Sequence, residues 1–143
     1  MRQGELGRLE RRDSRPRPDH DGGSRPSILV IESDLVTRET LALALQYYGY
    51  DVTAVGNGSD ATALLPQMTP DVVVMDWRTP GLSGLSLCLA LRRRLPMMPI
   101  VVVTSLDEVF DGEQPVNAWL RKPIDPRLLD QVIRLELAPM RSS

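Results

Sequence analysis

Three stretches of this chain, Ile28–Ile31, Val72–Met75 and Ile100–Val103, are apolar at every position. A strand with one wet face alternates apolar and polar residues. A strand apolar throughout is covered on both faces, which is the habit of parallel sheets packed between helices. The intervening segments carry helical spacing. Within Leu35–Tyr48, the residues Leu41, Ala44, Leu45 and Tyr48 fall at i, i+3, i+4 and i+7, and Gly49 is placed to end that helix. Tyr50–Val55 reads as a second strand. Asn57-Gly58-Ser59 turns the chain and caps a short helix over residues 60–67, which Pro66 helps to end. Asp71–Asp76 reads as the third strand, residues 84–94 as a helix, Pro99–Val103 as the fourth strand and Val116–Leu120 as the fifth. Asp125-Pro126, an N-cap followed by proline at the first helical position, opens a last helix through Leu137. Only Thr104–Pro115 breaks the rhythm. Asp107, Glu108 and Glu113 favour a helix start, whereas Gly112 and Pro115 interrupt it, so a shortened or irregular fourth helix is expected.

This alternation predicts an α/β fold with right-handed crossovers and a doubly wound, five-stranded parallel sheet. Ligand chemistry in such a sheet belongs at the carboxyl rim of the strands. A chain of 143 residues suits one domain with a sizeable core. Residues 1–27 hold seven arginines and five acids among Pro and Gly, without apolar periodicity, and read as a disordered arm with at most a weak helix over 3–12. The domain then spans 28–138 and a short tail 139–143. The arm is net basic and the rest net acidic, so direct nucleic-acid binding by the folded part is not expected. His20 lies in the arm with no partner ligand in sequence, which gives it no metal role. Cys88, the single cysteine, sits among leucines and is most simply a small buried hydrophobe in a reducing compartment. Arg92-Arg93-Arg94 reads as a solvated helix end favoured by the macrodipole. No apolar run is long enough to span a bilayer and no secretory signal is present, so a cytoplasmic protein without membrane contact is expected.

Candidate chemistry gathers at strand ends. Asp76 closes the third strand, just before a Pro80-Gly81 turn. Glu32-Ser33-Asp34 follows the first strand, and Lys122 follows the fifth. Alone, a strand-end aspartate is usually a turn or cap residue, Lys122 is a surface charge and Thr104 is a helix cap. In a parallel sheet, acids and an ammonium converge on one carboxylate, which suits accepting a phosphoryl group beside a metal ion.

In that order, the pattern resembles a response-regulator receiver domain of two-component signalling, in a stand-alone and atypical form. The marks are Ile28–Asp34, Asp76 with Pro80-Gly81 and Gly84 beyond, Thr104 after Ile100–Val103, and Lys122-Pro123. The resemblance implies a flavodoxin-like sheet of order 2-1-3-4-5 and a required Mg²⁺. It makes Asp76 the phosphoacceptor, served by a histidine kinase or phosphotransfer protein. It places Glu32 at a water-mediated metal contact, Ser33 where a direct acidic ligand usually stands, and the Arg78 backbone carbonyl on the metal. Thr104 and Lys122 would bind the phosphoryl oxygens, Pro123 would follow a cis bond, and Trp119 would occupy the switching-aromatic position beside Thr104.

Three departures shape the expected function. Ser33 removes a metal-binding carboxylate, and Asp34, one residue on, should point elsewhere. The segment from Thr104 to Lys122 is shorter than the family's. Trp119 exceeds the usual Tyr or Phe, leaving open an outward contact residue or an ordinary edge-strand aromatic. The leading expectation is a single-domain response regulator that signals to a downstream protein target, with a homodimer left open. The alternative is a pseudo-receiver, a binding module independent of phosphorylation. An unrelated flavodoxin-like binder is disfavoured by the missing Gly-rich phosphate loop.

Overall fold

The computed structural model describes residues 25–105 and 115–141. The expected arm up to residue 24, the weak helix at 3–12, most of the irregular fourth-helix segment and the final residues of the tail lie outside the described residues.

Five strands and four helices are described: β1 (Ser27–Ile31), α1 (Leu35–Tyr47), β2 (Asp51–Val55), α2 (Gly58–Leu64), β3 (Val72–Asp76), α3 (Gly84–Arg94), β4 (Ile100–Thr104), β5 (Ala118–Arg121) and α4 (Pro126–Arg141). The strands form one parallel sheet in the order β2-β1-β3-β4-β5, as expected. Strand periodicity divides the core in two. Leu29, Ile31, Val73, Met75, Ile100 and Val102 pack under α2 and α3, whereas Ile28, Val30, Val72, Val74, Val101 and Val103 pack under α1 and α4. Every one of these strand residues is fully buried, which accounts for the lack of polar alternation.

Local chemistry sets the helix ends. Asp34 caps α1 by accepting from the Thr37 amide at 2.9 Å and the Thr37 hydroxyl at 2.7 Å. Gly49 follows the helix with φ of 99°, a conformation glycine adopts freely. Ser83 caps α3, and the Asp125 carboxylate accepts from the Arg127 amide at the start of α4.

Several boundaries differ from the sequence expectation. Asn57 is itself the cap of α2, so that helix starts at Gly58 rather than 60 and stops at Leu64 before Pro66, which has no N–H to continue it. Strand β4 is displaced by one residue, because Pro99 contributes only its carbonyl, accepting from the Val73 amide at 3.0 Å. Strand β5 begins at Ala118 because the Asn117 side chain, rather than a ladder carbonyl, accepts from the Ile100 amide at 2.8 Å. Helix α4 continues past Leu137 and through the expected boundary at 138 to Arg141.

The arginine triplet is not uniformly solvated. Arg93 and Arg94 are exposed, but Arg92 reaches back to the carbonyls of Pro96 and Met98 and donates to Asn117 Oδ1 at 2.6 Å, tying the end of α3 to the start of β4 and β5. Helix polarity explains a basic last turn; only packing selects which cation is used. Cys88 is buried as expected, beside the Met75 sulfur at 3.8 Å. Burial pushes its thiol up to about 11, so it stays protonated and inert at neutral pH.

Candidate functional site

Strands β1 and β3 are neighbours, paired through Ile31 and Met75 at their carboxyl ends. The next residues, Glu32 and Asp76, therefore emerge side by side at the rim. Strand β5 lies two places from β3, with β4 between them. Lys122 follows β5, and its amide donates to the Thr104 carbonyl at 2.9 Å, which extends the ladder by one bond. From there its long side chain reaches back across β4. Lys122 Nζ lies 2.9 Å from Glu32 Oε1 and 2.9 Å from Asp76 Oδ2. The two carboxylate oxygens are thus no further apart than twice that distance.

The remaining oxygens are also engaged. Glu32 Oε2 accepts from the Asp34 amide at 3.0 Å, and Asp76 Oδ1 accepts from the Arg78 amide at 3.0 Å. Glu32 is only 2% exposed, so its charge needs the partner it has. Burial lowers the Lys122 pKa, but hydrogen bonds and charge from Asp76 and Glu32 outweigh that and leave it raised. Below its usual 10.5, the ammonium is retained and the pair it makes is intact.

Thr104 closes β4, one residue beyond Val103, the register partner of Asp76, and is buried at the rim. The peptide bond Lys122–Pro123 is cis, as the resemblance implied. Ser33 is exposed, and its described contact is through its carbonyl, which accepts from Arg38 at 3.4 Å. Asp34 points into its helix cap, where the Thr37 hydroxyl and amide hold its carboxyl below the usual range. It does not take over the role of an acid at position 33. Arg78 is exposed, and its amide fastens the turn after Asp76.

Trp119 corrects the picture of an outward contact residue. It is partly buried on the α2–α3 side of the sheet and meets the Trp77 ring with centroids 4.9 Å apart at 50°. Trp77 had no assigned role in the sequence pattern. One participant was missed at the site, and one tie was missed at the other end of the sheet. Arg38, one turn into α1, donates to the Glu32 carbonyl at 2.9 Å and steadies the acidic corner. Tyr50 donates to Asp130 Oδ1 at 2.6 Å, and Asp130 also pairs with Arg134 at 2.9 Å, which ties the start of β2 to α4. An Asp-to-Arg spacing of four in a helix signals the second pair; nothing local signals Tyr50.

Thr79, in the turn after Asp76, is buried, and its hydroxyl has no hydrogen-bond partner in the described structure. An unsatisfied buried hydroxyl costs about 1–3 kcal/mol. Thr79→Val removes it at equal shape, so the urea midpoint is expected to rise. A lower midpoint would show that the hydroxyl has a partner.

Mg²⁺ sites of this kind take one or two carboxylates and complete the shell with water. Glu32 and Asp76 meet that minimum as adjoining hard oxygen donors, so the residues fit the ion. The donor set is lean: among the described residues no group of three or more His, Cys, Asp or Glu side chains could hold a metal.

Residues 28–134 match the family model of the response regulator receiver domain. The transcriptional regulatory protein AfsQ1 of Streptomyces coelicolor is 34% identical over 116 residues, which cover 78% of this chain and 51% of that protein. The DNA-binding response regulator MtrA of Mycobacterium tuberculosis is 31% identical over 117 residues, covering 79% of this chain and 51% of its own length. The chain thus spans about half the length of these curated relatives. Among solved structures, a sensor protein from Polaromonas sp. JS666 superposes with a TM-score of 0.74 at 32% identity, covering 81% of this chain and 98% of its own.

Proposed function

This chain belongs to the response regulator receiver domain family, and from that premise we propose that it accepts a phosphoryl group on Asp76 from a histidine kinase or phosphotransfer protein and signals through protein contacts. The observation that carries this reading is the Lys122 ammonium held 2.9 Å from both Glu32 and Asp76.

An Asp76 carboxylate oxygen attacks phosphorus, and the bond from phosphorus to the donor's imidazole nitrogen breaks. The imidazole leaves, and Asp76 becomes an acyl phosphate. Such transfers depend on positioning and charge neutralisation more than on covalent chemistry. Lys122 offsets negative charge on the transferring group, and Thr104 is the residue at the rim suited to donate to one of its oxygens. Glu32 and Asp76, with the Arg78 carbonyl, are the groups that would hold Mg²⁺, which when bound supplies further charge neutralisation. Arg38 keeps the Glu32 backbone in place meanwhile. A cavity of about 500 Å³ opens beside Lys122, lined by Val36, Thr37, Leu41, Ile124 and Pro126 among others. It offers a donor protein an apolar seat beside the lysine that contacts the acceptor. A cytoplasmic setting follows from such a donor, and among the described residues no helix is long and apolar enough to cross a membrane.

DNA binding is in the name of MtrA and belongs to that whole protein. For this chain the reading is limited to the receiver, and protein targets remain the expected output.

The test is incubation with Mg²⁺ and acetyl phosphate. One phosphoryl group should appear by mass and be lost in Asp76→Asn. No mass gain in the wild type would favour the second reading, a phosphorylation-independent binding module. Ser33 in an acidic position speaks for that alternative. Ser33→Asp restores a third carboxylate and is expected to tighten Mg²⁺ binding by at least roughly tenfold, on the scale by which site carboxylates tune hard-cation affinity. Unchanged affinity in a fluorescence titration would remove Ser33 from the metal site.

A further inference from the structure

The residue after Asp76 is Trp77, and its place is defined from two sides. On one side lies the first residue of α3, Gly84. A Cβ built there would stand 2.5 Å from Trp77 Cδ2 and 2.5 Å from the Trp77 carbonyl oxygen, so the indole and its backbone sit directly against the glycine. On the other side lies Trp119, with ring centroids 4.9 Å apart. Trp119 belongs to β5, in register with Val102 of β4, and both indoles pack against the core cluster that contains Met75 and Val102. The turn that follows is fastened at its start, where the Arg78 amide donates to Asp76 Oδ1 at 3.0 Å. The acceptor carboxylate is therefore oriented by a backbone segment whose own position is set by an indole, and that indole by a second one on another strand.

We propose that Trp119 is a positioning residue for the acceptor: it holds Trp77 against α3 and, through Trp77, the backbone that aims Asp76. The contact runs from β5 to the β3–α3 turn directly, without passing through Thr104. Trp119 thereby sets how readily Asp76 reacts, through the β3–α3 turn that it steadies. The second arm of the test rests on Asp76 being the phosphoacceptor; the first does not.

The first arm measures amide hydrogen exchange in Trp119→Ala, with Trp119→Phe as the conservative control. Loss of one aromatic contact should speed exchange of the Trp77 and Arg78 amides by roughly three- to tenfold, beyond any change in core amides such as Val74 and Val30. Trp119→Phe should restore most of the protection. Faster exchange confined to β5, or spread equally over the core, would overturn the proposal, since a merely structural role gives that result. If Trp119→Ala does not fold, Trp119→Leu keeps apolar bulk without the aromatic contact and serves for the same comparison. In the second arm, phosphorylation by acetyl phosphate at saturating Mg²⁺ should slow in Trp119→Ala and recover in Trp119→Phe. An unchanged rate together with faster Arg78 exchange would overturn the link to Asp76 reactivity. A wild type that takes no phosphoryl group would instead sink the proposed function, with the exchange arm still deciding whether Trp119 holds the turn.

Discussion

Lys122→Met lowers the stability of the fold by about 1–3 kcal/mol and slows phosphoryl acceptance by roughly 10²–10³-fold. The ammonium bridges two carboxylates, one of which, Glu32, is almost fully buried. Removing one partner of a fully buried ion pair costs about 3–5 kcal/mol, mostly because a charge is left without compensation. Here Lys122 is 21% exposed and Asp76 13%, so solvent screens part of that cost and the lower figure applies. Methionine keeps the apolar stem, which confines the change to charge and hydrogen bonding. The kinetic loss is what mutational studies find for one missing charge-stabilising donor in a low-dielectric site. The pH profile provides an independent check. Because the folded Lys122 pKa is raised, its stabilisation is complete below the unfolded value of 10.5 and disappears as the pH climbs through the higher folded value. Urea unfolding of the wild type should therefore weaken above pH 10.5 by a component that Lys122→Met lacks. A variant as stable as the wild type at pH 7 would mean that the bridge contributes nothing.

Gly84→Ala destabilises the protein by about 1–3 kcal/mol, against the usual preference of helices for alanine. Propensity alone favours alanine over glycine by about 0.8–1.0 kcal/mol within a helix. Against that gain stand contacts of 2.5 Å to the Trp77 carbonyl and ring. A flexible side-chain tip could yield, but a backbone oxygen beside the acceptor cannot do so without moving the turn. The clash should therefore prevail, and the Asp76–Arg78 hydrogen bond should loosen with it. Chemical denaturation followed by tryptophan emission measures the first effect, and the shift of the Arg78 amide resonance measures the second. Greater stability in Gly84→Ala would show that Trp77 repacks freely.

Much of the fold was legible because burial on both faces leaves a local mark. Ile28–Ile31, Val72–Met75 and Ile100–Val103 have no polar position at all, and the core places every one of them at zero exposure. Caps were equally readable: Asp125-Pro126 and Gly49 signal helix ends by their own stereochemistry. Boundaries slipped where a side chain replaced a backbone partner, as Asn117 does for Ile100. Trp77 was overlooked because Trp119 is distant in sequence and the contact with Gly84, seven residues on, gives no periodic signal. Arg92 was misjudged beside Arg93 and Arg94 for a related reason: three identical residues differ only in what faces them.

The order of strand ends along the chain determined that Glu32, Asp76, Thr104 and Lys122 share one rim, since parallel strands deliver all their carboxyl ends to the same side. Only the folded structure decided how those groups are engaged. One ammonium reaches across β4 to two carboxylates, and two indoles meet beside the acceptor. Pairings of that kind depend on rotamers and on gaps of a few ångströms between elements far apart in sequence. They are settled by packing after the backbone topology is set, and no residue pattern along the chain encodes them by itself.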